Sequence, residues 1–569
     1  MSQPPNDENR WAAEQSAQTQ QGGPNPPAST WPGGPGATST VYSPYVPRVT
    51  SYGQTTPVGL RVLGAALLLP AVFFWIRDLV VPSWQTAKLS TENRNPLRDT
   101  ATSVGMDNYE NLDYGKALVF ALSLALLPAL IALVVGPIIG AVAARASTPL
   151  RRVITGVLGV LVLLVGTTGI ILASLPERSL GDGMDVRVIA MLCGLPVVVG
   201  LSGLVFVAVS RTRSAESSGM APVATAVLVG IIALMAIVAI AIQSLAPSLV
   251  ATTGGPKGET LTPNLLAYQS GFQRMQFGRG AASQTLTLVI VGVLGLIAGL
   301  LILGSRLRVE PAAAEDSPGR SNVSGIVAIV LAVLAVVVIA VLLHDWATGL
   351  SDTDLPRGAS TPPNLTSNTW TPGIPPAGVA ALVAALGGFG LGALRPLGRV
   401  SEWLLLPFMP WLFVGLGTLS MTHFIDQIGD DRTLTPPMWV SVPALVVCTL
   451  VSAGVRRRWD ESQARGGPAP LAAILTLPAA VLLMFLGLIV SHAQNIGWQL
   501  AVAVTPEDRT GPVTLVQLRN EMFYTGSGSL PYGLANPLPL TILLAVAGAG
   551  LCALLGSLTI RAGRPKWIA

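Results

Sequence analysis

"VSGIVAIVLAVLAVVVIAVLLH", residues 323–344, carries no charged side chain between Val323 and Leu343. Wound as an α-helix at ~1.5 Å per residue, that run covers about 31 Å, the thickness of the hydrocarbon core of a bilayer. Lipid offers no partner to a backbone N–H or C=O, so a single apolar segment crosses it only as a helix. The run therefore reads as a transmembrane span.

The rest of the chain repeats the pattern. Of its 569 residues 51% are hydrophobic and 11% charged, under half the ~25% charged share of a soluble domain. Mean hydropathy is +0.60. Twelve spans are expected, at roughly 60–81, 117–143, 153–175, 188–209, 222–244, 285–304, 323–343, 376–394, 403–422, 438–455, 470–491 and 538–560. The fold class is thus all-α, a polytopic integral membrane protein. Residues 1–57, rich in Pro, Gln and Gly and poor in aliphatics, cannot bury enough apolar surface to offset chain entropy and read as a disordered tail. No apolar run lies early enough in that tail for a cleaved leader, so none is expected.

Lysine and arginine set the orientation. "ARASTPLRR", "SRTRSAE", "SRLR", "LRPLGR", "VRRRWDESQAR" and the terminal "RAGRPKW" are short and basic, and all fall on one side of a twelve-span chain. By the positive-inside rule that side is the cytoplasm, with both termini, in a bacterial plasma membrane. The net charge of +5 is spread over these connections rather than gathered on one face, which argues against nucleic acid as a partner. Cys193, Cys448 and Cys552 lie inside expected spans without a C-x-x-C neighbour and read as packing residues. No cofactor is expected.

The outer loops run long, short, long, then long, short, long, which suggests a six-plus-six parallel repeat of residues 58–311 and 312–569. "DYGK" at 113–116, "QFGR" at 276–279 and "PYGL" at 531–534 each precede a span. Gly295–Gly299 and Gly388–Gly392 are small-xxx-small faces suited to close packing within the bundle. Prolines within spans, such as Pro70, Pro128 and Pro137, read as ordinary kinks. Trp75, Trp403 and Trp411 read as interface anchors.

Candidate chemistry is sparse. The three histidines, His344, His423 and His492, each end an apolar run on the outer side, with Asp345 and Asp426 close by. Imidazoles with carboxylates hold Zn²⁺ or relay protons when they converge. No spacing here matches a metal motif, however, so an interfacial edge is the expectation and no metal is assigned. Arg77 and Asp78 form a charged pair within the first span. An acidic residue there, followed by a long outer loop, is the layout of multispan polyprenyl-linked glycosyltransferases, although no paired acidic motif follows. No Walker-type glycine loop or G-x-S-x-G stretch is present, so the chain carries no ATPase or serine hydrolase signature. Two functions are left foremost. One is a transporter-like or lipid-handling permease working by rocking of the two halves. The other is a non-catalytic scaffold or subunit of an envelope machinery that binds a partner through its outer loops. The glycosyltransferase stands third.

Overall fold

A computed structural model describes residues 57–94, 101–175, 183–210, 221–311, 321–354, 364–426, 433–464, 471–503, 505–525 and 530–563. The expected tail, up to residue 56, lies outside them. The fold is all-α and multi-pass. Among the described residues nine helices are long and apolar enough to cross a membrane, or ten if one pair bent by 76° is a single broken span.

The first span comprises α1 (Val58–Trp75), a π-helical turn (Ile76–Val80) and α2 (Val81–Leu89). Helix α3 (Tyr114–Ala143) runs unbroken through Pro128 and Pro137. The bent pair is α4 (Thr148–Val162) and α5 (Thr167–Ala173). Helices α6 (Gly183–Ser210), α7 (Pro222–Ile242) and α8 (Phe277–Gly304) follow. Then come α9 (Asn322–Leu342), the short α10 (His344–Thr348) and α11 (Ile374–Phe389), which ends in a π turn at Gly390–Leu394. The expected ninth span is no α-helix. It is a 3₁₀ helix of 14 residues, Gly398–Trp411, with Pro407 and Pro410 three residues apart, followed by the short α12 (Ser420–Asp426). The chain closes with α13 (Val442–Ala464), α14 (Thr476–Ala493) and α15 (Leu538–Leu555).

On α9 small residues face inward and most of the large ones outward. Helix α9 buries Gly325, Ala328, Ala332 and Ile339, while Val323, Val330 and Val341 are exposed. With no hydrophobic drive between helices in lipid, close backbone approach is what holds them together.

The contacts come in matching pairs. Gly136 and Gly140 seat α3 on α6 at Ser202 and Phe206, and Gly388 and Gly392 seat α11 on α13 at Cys448 and Thr449. Gly159 and Gly548 bring α4 against α15, where a Cβ at Gly159 would lie 2.5 Å from Gly548 O. Gly295 and Gly299 bring α8 against Met409 of the 3₁₀ helix. Helix α9 packs on α3 and α4, and α1 packs on α11 through Gly64 and Gly387. In these pairs α1 and α8 lie against α11 and the 3₁₀ helix, and α9 and α15 against α3 and α4.

Four short strands form two separate ribbons. β1 (Glu92–Asn93) and β2 (Thr102–Ser103) form a small hairpin at the far end of the bundle. On the near face β3 (Arg308–Pro311), which follows α8, pairs antiparallel with β4 (Leu558–Arg561), which follows α15, in the register Val309↔Ile560. The strand β3 crosses α13 at Gly454, whose missing side chain makes room for Val309 O. Arg457 then ion-pairs with Glu310 at 2.7 Å, and Arg458 donates to Pro311 O. Burial alone would raise the Glu310 carboxyl, but the Arg457 charge prevails and holds it below the usual carboxylate range.

Candidate functional site

The π turn of the first span sets up the most polar locus at the far end. A π turn widens the helix by one residue, a device frequent at functional sites. It leaves Arg77 exposed and turns Asp78 inward, to 2% exposure. The Asp78 carboxylate accepts a hydrogen bond from Trp439 N at 2.8 Å and lies 3.5 Å from Arg77 Nε. Both of its obligations are met within the protein. Trp75 and Trp411, expected as membrane anchors, instead pack edge to face at 5.3 Å, and Trp411 Nε1 donates to Ser83. Thr86 and Thr422 share a hydrogen bond of 2.7 Å. The first span is thereby stitched to the 3₁₀ helix and α12.

His423 comes from α12 into this locus. Its imidazole is 7% exposed and hydrogen-bonds the main chain of Asp78, while its Nε2 is buried without a partner. Burial pushes its pKa down to about 4; the Asp78 hydrogen bond opposes that shift and the Arg77 charge adds to it. The imidazole is therefore neutral at physiological pH. Two groups that sequence reading kept apart, Arg77–Asp78 and His423–Asp426, are thus brought together across some 345 positions. The other histidines go elsewhere. His344 and Asp345 are exposed at the start of α10, and His492 packs against Gly373. Among the described residues no three His, Cys, Asp or Glu side chains form a group that could hold a metal ion.

Beside His423 a cavity of about 160 Å³ opens between α2 and α12. Gln85, Lys88, Glu92, Arg94, Thr422 and Asp426 line it. Lys88 and Glu92 lie 3.8 Å apart. Burial raises the Asp426 carboxyl above its ordinary value, with the Arg94 charge opposing.

Sequence reading missed the paired breaks. Helix α4 ends at "LLVG", residues 163–166, and the 3₁₀ helix ends at "LFVG", residues 412–415. The freed backbone at the second break is capped by Gln243, which donates to Phe413 O and accepts from Gly415 N, both at 2.7 Å. At the first, Asn536, in contact with Gln494, donates to Val165 O at 3.1 Å. The shared Leu-x-Val-Gly was the available signal.

The two breaks differ in what fills them. Trp346 lies on Gly166 and Gly169, and a Cβ at Gly169 would come 2.8 Å from its indole nitrogen. In the other break Thr418 stands where Gly169 stands in the first, counting from the shared Val-Gly, and it is fully buried. Trp84, on α2 of the first span, is 73% exposed.

No protein-family model matches the chain, and no curated protein matches it either.

Proposed function

We propose that the protein is a non-catalytic multi-pass subunit of the bacterial envelope. In this reading it is a rigid platform in the plasma membrane, with the β3–β4 ribbon in the cytoplasm and the folded loops of the far end presented to a partner. It is a six-plus-six duplication whose halves have exchanged their outermost spans. Three sequence pairs about 250 residues apart support the duplication: Gly136/Gly140 with Gly388/Gly392, "LLVG" with "LFVG", and Gly304-Ser305 with Gly556-Ser557. The basic residues around the ribbon support its cytoplasmic placement.

The exchange is the observation that carries the platform reading. A permease that rocks two halves needs them to part on one side at a time. Here α1 lies on α11, α9 on α4, α15 on α4 and α8 on the 3₁₀ helix, and the ribbon joins the ends of both halves. Each half is tied to the other at the faces that rocking would separate. The permease keeps one argument, because paired broken spans in corresponding places mark binding sites in many carriers. Against it, the groups freed at these breaks are taken up by Gln243 and Asn536. The glycosyltransferase reading loses its acid, since the Asp78 carboxylate is buried and bonded to Trp439 and Arg77.

A locked ribbon separates the readings. Val309 and Ile560 stand opposite each other in the register. Val309→Cys with Ile560→Cys, in a background where Cys193, Cys448 and Cys552 are alanine, would staple the cytoplasmic face. A platform complements a deletion strain equally well oxidised or reduced, and crosslinking from the far end recovers one constant partner. Loss of complementation on oxidation, restored by reductant, would overturn it.

A further inference from the structure

We propose that the cavity between α2 and α12 binds the headgroup of a zwitterionic phospholipid bearing a primary ammonium, with its phosphate toward Lys88 and Arg94 and its ammonium toward Asp426 and Gln85. The inference does not rest on the platform reading; a permease would hold the same lipid in the same place.

The cavity is short of donors at one end. Gln85 Oε1 is buried with no hydrogen-bond partner, and the exposed Asp426 carboxyl, under the Arg94 charge, lines the same cavity. A buried acceptor left unmade is costly, so Gln85 Oε1 awaits a donor. An ammonium with three N–H groups supplies it. Two exposed cations line the same cavity: Lys88, 3.8 Å from Glu92, and Arg94, whose charge reaches Asp426. Two cations and two carboxylates around about 160 Å³ are complementary to a compact ligand carrying one charge of each sign.

Height selects a lipid. Lys88 stands thirty residues above Val58 in an almost continuous helix, which at ~1.5 Å per residue is about 45 Å. A bilayer with its headgroup layers is ~40–45 Å thick, so the cavity lies at headgroup level. On α2, Val81, Trp84 and Lys88 fall on one face at i, i+3 and i+7, and Val81 and Trp84 are both exposed. That stripe offers acyl chains an apolar track below the headgroup.

The test uses the full-length protein in detergent micelles, titrated with short-chain phosphatidylethanolamine, phosphatidylcholine and phosphatidylglycerol, and with free phosphoethanolamine. Phosphatidylethanolamine should bind about tenfold more tightly than either other lipid, a difference of ~1.4 kcal/mol. Choline has no N–H to give, and glycerol no cation. Asp426→Asn should erase the preference, and Gln85→Leu should weaken it in case the first variant fails to fold. Equal binding of the three lipids, or a preference unchanged in folded Asp426→Asn, would overturn the site. Free phosphoethanolamine binding as tightly as the lipid would overturn the membrane source and point to a soluble zwitterion.

Discussion

The side-chain amide of Gln243 does the work of two missing backbone partners, with its Nε2 on Phe413 O and its Oε1 on Gly415 N. Replacing it by leucine leaves both groups unpaired, in surroundings where each orphan costs about 1–3 kcal/mol. Gln243→Leu should therefore lower the thermal midpoint of the detergent-solubilised protein well below that of Gln243→Glu, which keeps the acceptor. His423 carries a different liability. Its pKa is about 4 in the folded protein against 6.5 for an ordinary imidazole, so between those values the unfolded chain binds the extra proton. Its contribution to stability is complete above pH 6.5 and fades as the pH falls toward 4. His423→Gln, which cannot titrate, should flatten the dependence of the unfolding midpoint over that window; an equally steep decline would place the titrating group elsewhere.

Among the elements, helix contacts depend on glycine where two backbones touch. Gly159→Ala should be severely destabilising, because its methyl would meet Gly548 O and Cys552, whereas Gly550→Ala on α15 meets nothing within 4 Å and should be neutral. Comparing the two by yield and thermal midpoint separates contact from helix propensity. The elements were also unequally legible. Apolar length placed the spans at α3, α6, α8, α9 and α15 because a run of Val, Leu and Ala has one solution in lipid. It misjudged the ninth, since hydropathy counts residues and not rise. A 3₁₀ helix advances ~2.0 Å per residue, so 14 residues cover about 28 Å. Arg77 and Asp78 read as an interruption of the first span, because a sequence does not announce a π turn. The meeting of Asp78 with His423 was out of reach for another reason: it depends on which helices are neighbours, and no local pattern encodes that. The small-residue faces at Gly295–Gly299 and Gly388–Gly392 were recognised as internal packing, but their partners, Met409 and Thr449, were not.

For the molecule as a whole, exchange of the outermost spans has a consequence for dissection. Residues 1–311 and 312–569 expressed separately should each be degraded, because each lacks the helices that cover its middle spans. Expressed together they should reassemble into a protease-resistant complex. A half that is stable alone and monomeric would show that the exchange contributes little. The proposed exchange would also account for loop lengths suggesting a six-plus-six plan while giving no hint of the packing. Loop length follows chain order, and here chain order and spatial order part company at α1, α8, α9 and α15.

The antiparallel ribbon also has a bearing on time. Its second strand, Leu558–Arg561, is made some 250 residues after its first, and α1 waits some 300 residues for α11 to be made. At ~5–20 residues per second that interval is about 15–60 s, during which the earliest helices have only lipid or an insertase for company. The nascent protein is thus an open clasp until Leu558–Arg561 is synthesised, and a stop just ahead of that strand would release a molecule whose helices are in the membrane yet never fastened.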